Sequence, residues 1–142
     1  MLELPSLTIE EELGRAVWDS KKAKQATAGK VHFRVFRERD GVRDLSVDRL
    51  SYGGLDSLAK LHDLERSPQM FQGWAIVSVE HACQLNRAVK PDAIVPENIY
   101  HALIILPDAT DEQEFIDAQT QHALNLAMAA HWQPRPQETL KK

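Results

Sequence analysis

Two stretches of the chain are apolar at almost every position and read as buried strands. Phe71 to Val79 is polar only at Gln72 and Ser78, and Ile99 to Leu106 is apolar apart from Tyr100 and His101 at its start. Such runs suit strands covered on both faces. A third stretch alternates instead: in Val31-His32-Phe33-Arg34-Val35-Phe36-Arg37, residues Val31, Phe33 and Val35 fall on one face. Asp40-Gly41 then reads as a turn, and Leu45-Ser46-Val47-Asp48 as the returning strand. A three-residue loop, Arg39-Asp40-Gly41, sets Val35 opposite Leu45 and Phe33 opposite Val47. The same register brings Arg34 across from Ser46 and His32 across from Asp48 on the other face.

Four segments read as helices. Thr8 followed by Glu11 is a capping-box pattern. Leu13, Ala16 and Val17 supply an apolar stripe and Gly29 a stop, which predicts a helix from Ile9 to Ala28. Leu58, Leu61 and Leu64 mark a second helix beginning near Asp56 and ended by Ser67-Pro68. A short one is expected from Glu80 to Ala88, before a loop bracketed by Pro91 and Pro96. The last runs from Asp111 to Trp132, with four carboxylates near its positive end.

The order of elements predicts an α+β fold: a small, mostly antiparallel sheet of about four strands, the first two a hairpin, packed by N- and C-terminal helices. One domain is expected over residues 1–132, followed by a loosely held, proline-containing tail over 133–142.

Composition narrows the class without naming a function. Of 142 residues, 43% are hydrophobic and 27% charged, which is ordinary globular usage. A single cysteine, Cys83, excludes an internal disulfide and fits a reducing compartment. It is expected to be a small buried thiol. With no leader-like start and no long apolar run, a cytoplasmic protein with no membrane partner is expected. The net charge of −4 is unevenly spread: between Gly14 and Leu50, ten Lys/Arg stand against five Asp/Glu. A basic third in an acidic chain suggests a surface for an anionic partner.

No phosphate loop, paired cysteines or nucleophile elbow is present. The residues that remain are constellations. His32, Arg34 and Asp48 on one hairpin face would join an imidazole, a carboxylate that fixes its tautomer and an anion-binding guanidinium. His101 would be an accessory acid. His62-Asp63-Glu65 and the pair His122 and His131 lack a spacing that converges three ligands, so no metal and no cofactor are expected. The last helix is apolar around much of its second half, from Ala123 to Ala130, as if covered on more than one side.

Three readings follow, in order. The first is a non-enzymatic protein-binding module of a small bacterial-type protein, acting on a protein partner or forming a homo-oligomer through the last helix. The second is a small phosphoester hydrolase or nuclease-like enzyme using His32, Asp48 and Arg34, with His101. The third is a nucleic-acid binder working through the basic 14–50 segment.

Overall fold

The computed structural model describes residues 4–38, 40, 42–52, 54–84, 88–94, 97–106 and 111–136. Their elements run in the order β1 (Glu12–Val17), α1 (Ser20–Thr27), a 3-10 turn (Phe33–Phe36), β2 (Asp44–Arg49), α2 (Leu55–Glu65), β3 (Gly73–Ser78), α3 (Val79–Gln84), β4 (Ala88–Pro91), β5 (His101–Ile105), α4 (Glu112–Ala129) and β6 (His131–Pro134). The α+β class holds. The sheet has six strands rather than about four, in the order β4-β5-β2-β1-β3-β6, and every neighbouring pair is antiparallel.

The largest departure from the sequence reading is at the start of the chain. Residues 12–17 form a strand instead of the middle of a helix. Glu11 N–H bonds the Thr8 carbonyl at 3.2 Å in a turn, so the capping-box pattern opens no helix. Sheet pairing overrides local helix signals here: β1 lies between β2 and β3 and pairs with β3 along its whole length, from Glu12↔Ser78 to Val17↔Gly73. The helix begins only after Asp19, whose carboxylate accepts from Lys22 N–H at 3.0 Å. Its end agrees with the expectation. Gly29 takes a φ of +99°, and Lys30 N–H reaches the Gln25 carbonyl at 2.9 Å, closing the helix through a left-handed residue.

The expected hairpin is absent. Val31 to Arg37 is a loop and a 3-10 turn, not a strand, because β2 already has neighbours on both edges, β1 and β5. Val35 and Phe36 are instead buried beside Ala123, Leu126 and Ala127 of α4. Arg39 and Gly41, on which the loop reading rested, lie outside the described residues, as do Pro96 and 137–142.

The other expected elements are present with small shifts: α2, β3, β5 and α4 all fall within their predicted stretches. Two edge strands were not anticipated, β4 and β6, each of four residues and each ending in proline. Proline lacks an N–H, so it suits the edge of a sheet. Gln133 and Pro134 therefore belong to β6, paired with Trp74 and Gly73, and not to a loosely held tail. The guanidinium of Arg135 bonds both oxygens of Asp63, at 2.9 and 2.8 Å, and ties the segment after β6 to α2.

Both faces of the sheet are covered. On one, Leu13, Val17, Leu45, Val47, Val77 and Ile104 meet the 3-10 turn and α4. On the other, Leu50, Trp74 and Ile76 meet Phe71 and the Leu58–Ala59 side of α2. This double cover explains why the first five residues of β3 are all buried. Cys83, expected inside, is exposed at the end of α3. No helix among the described residues is long and apolar enough to cross a membrane.

Candidate functional site

The second face of the sheet contains a polar exception. Alternation along β2 turns Asp48 toward the α2 side, where it is 2% exposed. In the ladder it lies between Gly14 of β1 and His101 of β5. Gly14 leaves room for a crossing side chain: a Cβ there would come within 2.8 Å of Trp74 Cδ1 and 2.4 Å of Leu50 Cδ1. The Trp74 indole uses that room and donates its Nε1–H to Asp48 Oδ2 at 2.9 Å. Asn98 Nδ2 donates to Oδ1 at 3.2 Å, and His62 Nε2 to Oδ2 at 2.6 Å. Three polar partners satisfy this buried carboxyl group.

His62 comes from α2, on the face that also carries Leu58 and Ala59, so its ring enters the core. Trp18, Phe71 and Trp74 surround it, with ring centroids 5.4, 5.0 and 6.4 Å away. Its second nitrogen, Nδ1, meets the carboxylate of Glu65, one turn further along and half-exposed. With a carboxylate facing each nitrogen, the ring is best satisfied as an imidazolium that donates to both. Burial is the largest single influence and opposes the charge. Asp48 and Glu65 together outweigh it, and the pKa of His62 is raised. Asp48, His62 and Glu65 thus form a line of alternating charge running from the core to solvent.

That line forms the floor of a cleft of about 480 Å³ between α2, the residues Ile94, Asn98 and His101, and the β1–β2 junction. The opening follows from the sheet: β1 and β2 pair only at Leu13↔Arg49 and Gly14↔Asp48, then separate. Arg15 fills the gap with side-chain bonds in place of ladder bonds. Its Nε donates to the Val35 carbonyl at 3.1 Å, Nη1 to the Ser46 carbonyl at 2.9 Å, and Nη2 to Glu38 at 3.2 Å. Arg66 lines the rim, its guanidinium 4.2 Å from the Trp18 ring centroid. Trp18 itself donates to the His62 carbonyl at 2.9 Å, fixing that wall.

Of the four residues singled out from sequence, the structure brings two together. Asp48 and His101 are cross-strand partners and both line the cleft, with His101 Nδ1 3.0 Å from Asp92. His32 and Arg34 are elsewhere, which corrects the predicted pairing of His32 with Asp48. His32 caps the 3-10 turn, its Nδ1 accepting from Arg34 N–H at 3.1 Å, and its ring stacks on Phe33. Burial, then the charges of Lys22, Arg34 and Lys30, lower its pKa. Asp48 has an imidazole partner, but it is His62.

His62, Glu65, Asn98 and Trp74 were not anticipated as a group. A signal existed for His62: it follows Leu58 by four residues and so shares the buried stripe of α2. Among the described residues, no three His, Cys, Asp or Glu side chains are arranged to hold a metal ion.

The fold and site define a class: an α+β protein with an antiparallel sheet and a carboxylate–imidazolium–carboxylate line at the floor of a cleft. No protein-family model matches the chain, and no curated protein or solved structure gives a match.

Proposed function

We propose that the protein is a small hydrolase acting on a phosphoester, with His62 as its acid–base group. One observation carries this reading: a buried Asp48–His62 pair forms the floor of a cleft of ligand-binding size. A buried ion pair is a poor stabiliser compared with well-packed hydrophobic residues, and this one lines a cleft, so its presence there points to chemistry. Asp48 holds the Nε2 side of the ring and keeps the imidazolium charged, while Nδ1 is directed toward the half-exposed Glu65.

Substrate enters by displacing the Glu65 carboxylate into solvent and taking its place at Nδ1–H. As the P–O bond to the leaving group breaks, that proton passes to the leaving oxygen. A water molecule forms the new P–O bond, and the proton it loses returns to Nδ1. Asp48 and Asn98 are positioning residues: Asp48 holds the ring and Asn98 holds Asp48. Arg66 at the rim supplies positive charge toward the phosphoryl oxygens.

Turnover of p-nitrophenyl phosphate and bis(p-nitrophenyl) phosphate tests the reading. His62→Gln is expected to lower kcat by about 10²–10⁴-fold, the usual contribution of a general acid or base. Because the acting form is protonated and the pKa of His62 is raised in the free protein, where Glu65 still holds Nδ1, kcat/KM should fall on the alkaline side with a midpoint above the ordinary 6.5. Wild-type protein that is folded yet turns over neither ester contradicts the proposal, and so does an undiminished His62→Gln rate.

A second reading, the self-associating binding module, is favoured by α4. Leu124 and Met128, one turn apart, are 40% and 85% exposed, while Phe115, Ala123 and Leu126 are buried. If that pair forms an interface, light scattering will give a dimer at low and high salt that Met128→Lys converts to monomer. A wild-type monomer at both salts removes the reading.

A further inference from the structure

Beside the cleft, a second groove of about 220 Å³ runs along β1 and the start of α1. Its cationic lining is Arg15, Lys22, Arg34 and Arg66, drawn from four separate parts of the chain. Two of these charges are already partnered: Arg15 by Glu38, and Lys22 by Asp19 at 3.3 Å. Arg34 is exposed and Arg66 lies over Trp18. The groove and the cleft share Arg15, Ala16, Trp18 and Arg66 as walls, so the two are continuous.

Next to Arg34 is a stack of planar groups. The His32 and Phe33 rings lie 5.0 Å apart with 23° between their planes, and the Arg34 guanidinium sits 5.3 Å from the Phe33 centroid. The charges of Lys22, Arg34 and Lys30 are all close enough to depress ionisation of His32, after the larger effect of burial. In a chain of net charge −4, this concentration of cations is a local reversal of sign.

We propose that this groove binds single-stranded nucleic acid, with Lys22, Arg34 and Arg66 facing its phosphates and the His32–Phe33–Arg34 stack meeting an unpaired base. Backbone-tracking cations beside stacking surfaces are how sequence-tolerant single-strand sites are built. In a duplex the bases are already paired and stacked, so the planar stack would have nothing to meet. An acidic peptide would use the cations and leave the stack idle. The inference goes beyond the proposed chemistry: it shares Arg66 with that reading but does not involve His62, and the His32–Phe33 stack adjoins the groove through Arg34.

Fluorescence anisotropy with 5′-labelled dT12 tests it, read as binding alone and without turnover. Three phosphate contacts predict that log K falls with log salt at a slope near −2. The triple variant Lys22→Gln/Arg34→Gln/Arg66→Gln should lose tenfold or more of the affinity at low salt. His32→Asn keeps an acceptor to cap the 3-10 turn but removes the ring, and should weaken dT12 about fivefold or more. Circular dichroism of each variant checks the fold. Three results would overturn the proposal: no dT12 binding at 50 mM salt (roughly the regime where phosphate contacts are strongest), affinity unchanged in the triple variant, or poly-glutamate binding at least as tightly as dT12 with no loss in His32→Asn.

Discussion

Replacing His62 by leucine is expected to cost the fold about 3–5 kcal/mol, the range for removing one partner of a buried ion pair. Leucine fills much of the same space among Trp18, Phe71 and Trp74, so packing is not the main loss. The loss is electrostatic. Asp48, 2% exposed, keeps only the Trp74 and Asn98 donors and must either stay charged without a counterion or take up a proton. Replacing both partners, His62→Leu with Asp48→Leu, should restore part of the stability, because no uncompensated charge remains. Urea denaturation of the two single variants and the double gives the coupling directly.

The pH dependence has a defined sign. His62 has a folded pKa above its unfolded value near 6.5. Its contribution to stability is therefore complete below about 6.5 and is lost as pH rises through the raised folded value. Wild-type protein should lose stability over that alkaline interval, and His62→Leu should lack that component.

The second large effect is expected from Glu11→Leu. Glu11 and Arg49 form a two-point ion pair at 2.5 and 2.9 Å, with side chains only 1% and 3% exposed. Arg49 also donates to the Pro5 carbonyl at 2.6 Å and lies over the Tyr52 ring. Removing Glu11 leaves a guanidinium that cannot shed its charge at any working pH, so the cost again falls near 3–5 kcal/mol. Glu11→Gln, which keeps one carbonyl acceptor, should cost less. The pair also joins the segment entering β1 to β2, so Glu11→Leu should raise protease sensitivity near Pro5. Urea midpoints and limited proteolysis check both expectations. The site chemistry should survive in whatever fraction stays folded, since Arg49 points to the face opposite Asp48.

How much of this was legible in the sequence depends on how local the signal was. The helix around Leu58 and Leu61, the apolar runs that became β3 and β5, and the acid-led last helix all declare themselves within their own windows. The strand over Glu12–Val17 does not. Its Thr8 and Glu11 imitate a helix start, and only its two sheet neighbours, more than thirty and more than fifty residues away, make it a strand. The same limit hid the edge strands β4 and β6, which are too short to show a period. The alternation from Val31 to Val35 was real but served a turn packed on α4, because the edge of β2 was already taken.

The site was half legible for the same reason. Asp48 was singled out, and a histidine partner was sought for it across a hairpin. The partner arrives from α2, fourteen residues on, through a crossing that no strand register encodes. Trp74 reaches Asp48 only because Gly14 lacks a side chain, a condition set by three strands together. His101 was placed on the correct strand, and β5 does bring it opposite Asp48.

The account turns on His62 being a charged imidazolium held by Asp48, and NMR of the histidine rings tests this most directly. Nitrogen-15 spectra across a pH titration report the protonation of each ring nitrogen. The structure predicts a His62 midpoint above 6.5, with both ring nitrogens protonated below that midpoint. It also predicts that Asp48→Asn lowers that midpoint. A neutral, single-tautomer ring at pH 6.5, or a midpoint below 6.5 that Asp48→Asn leaves in place, would contradict it.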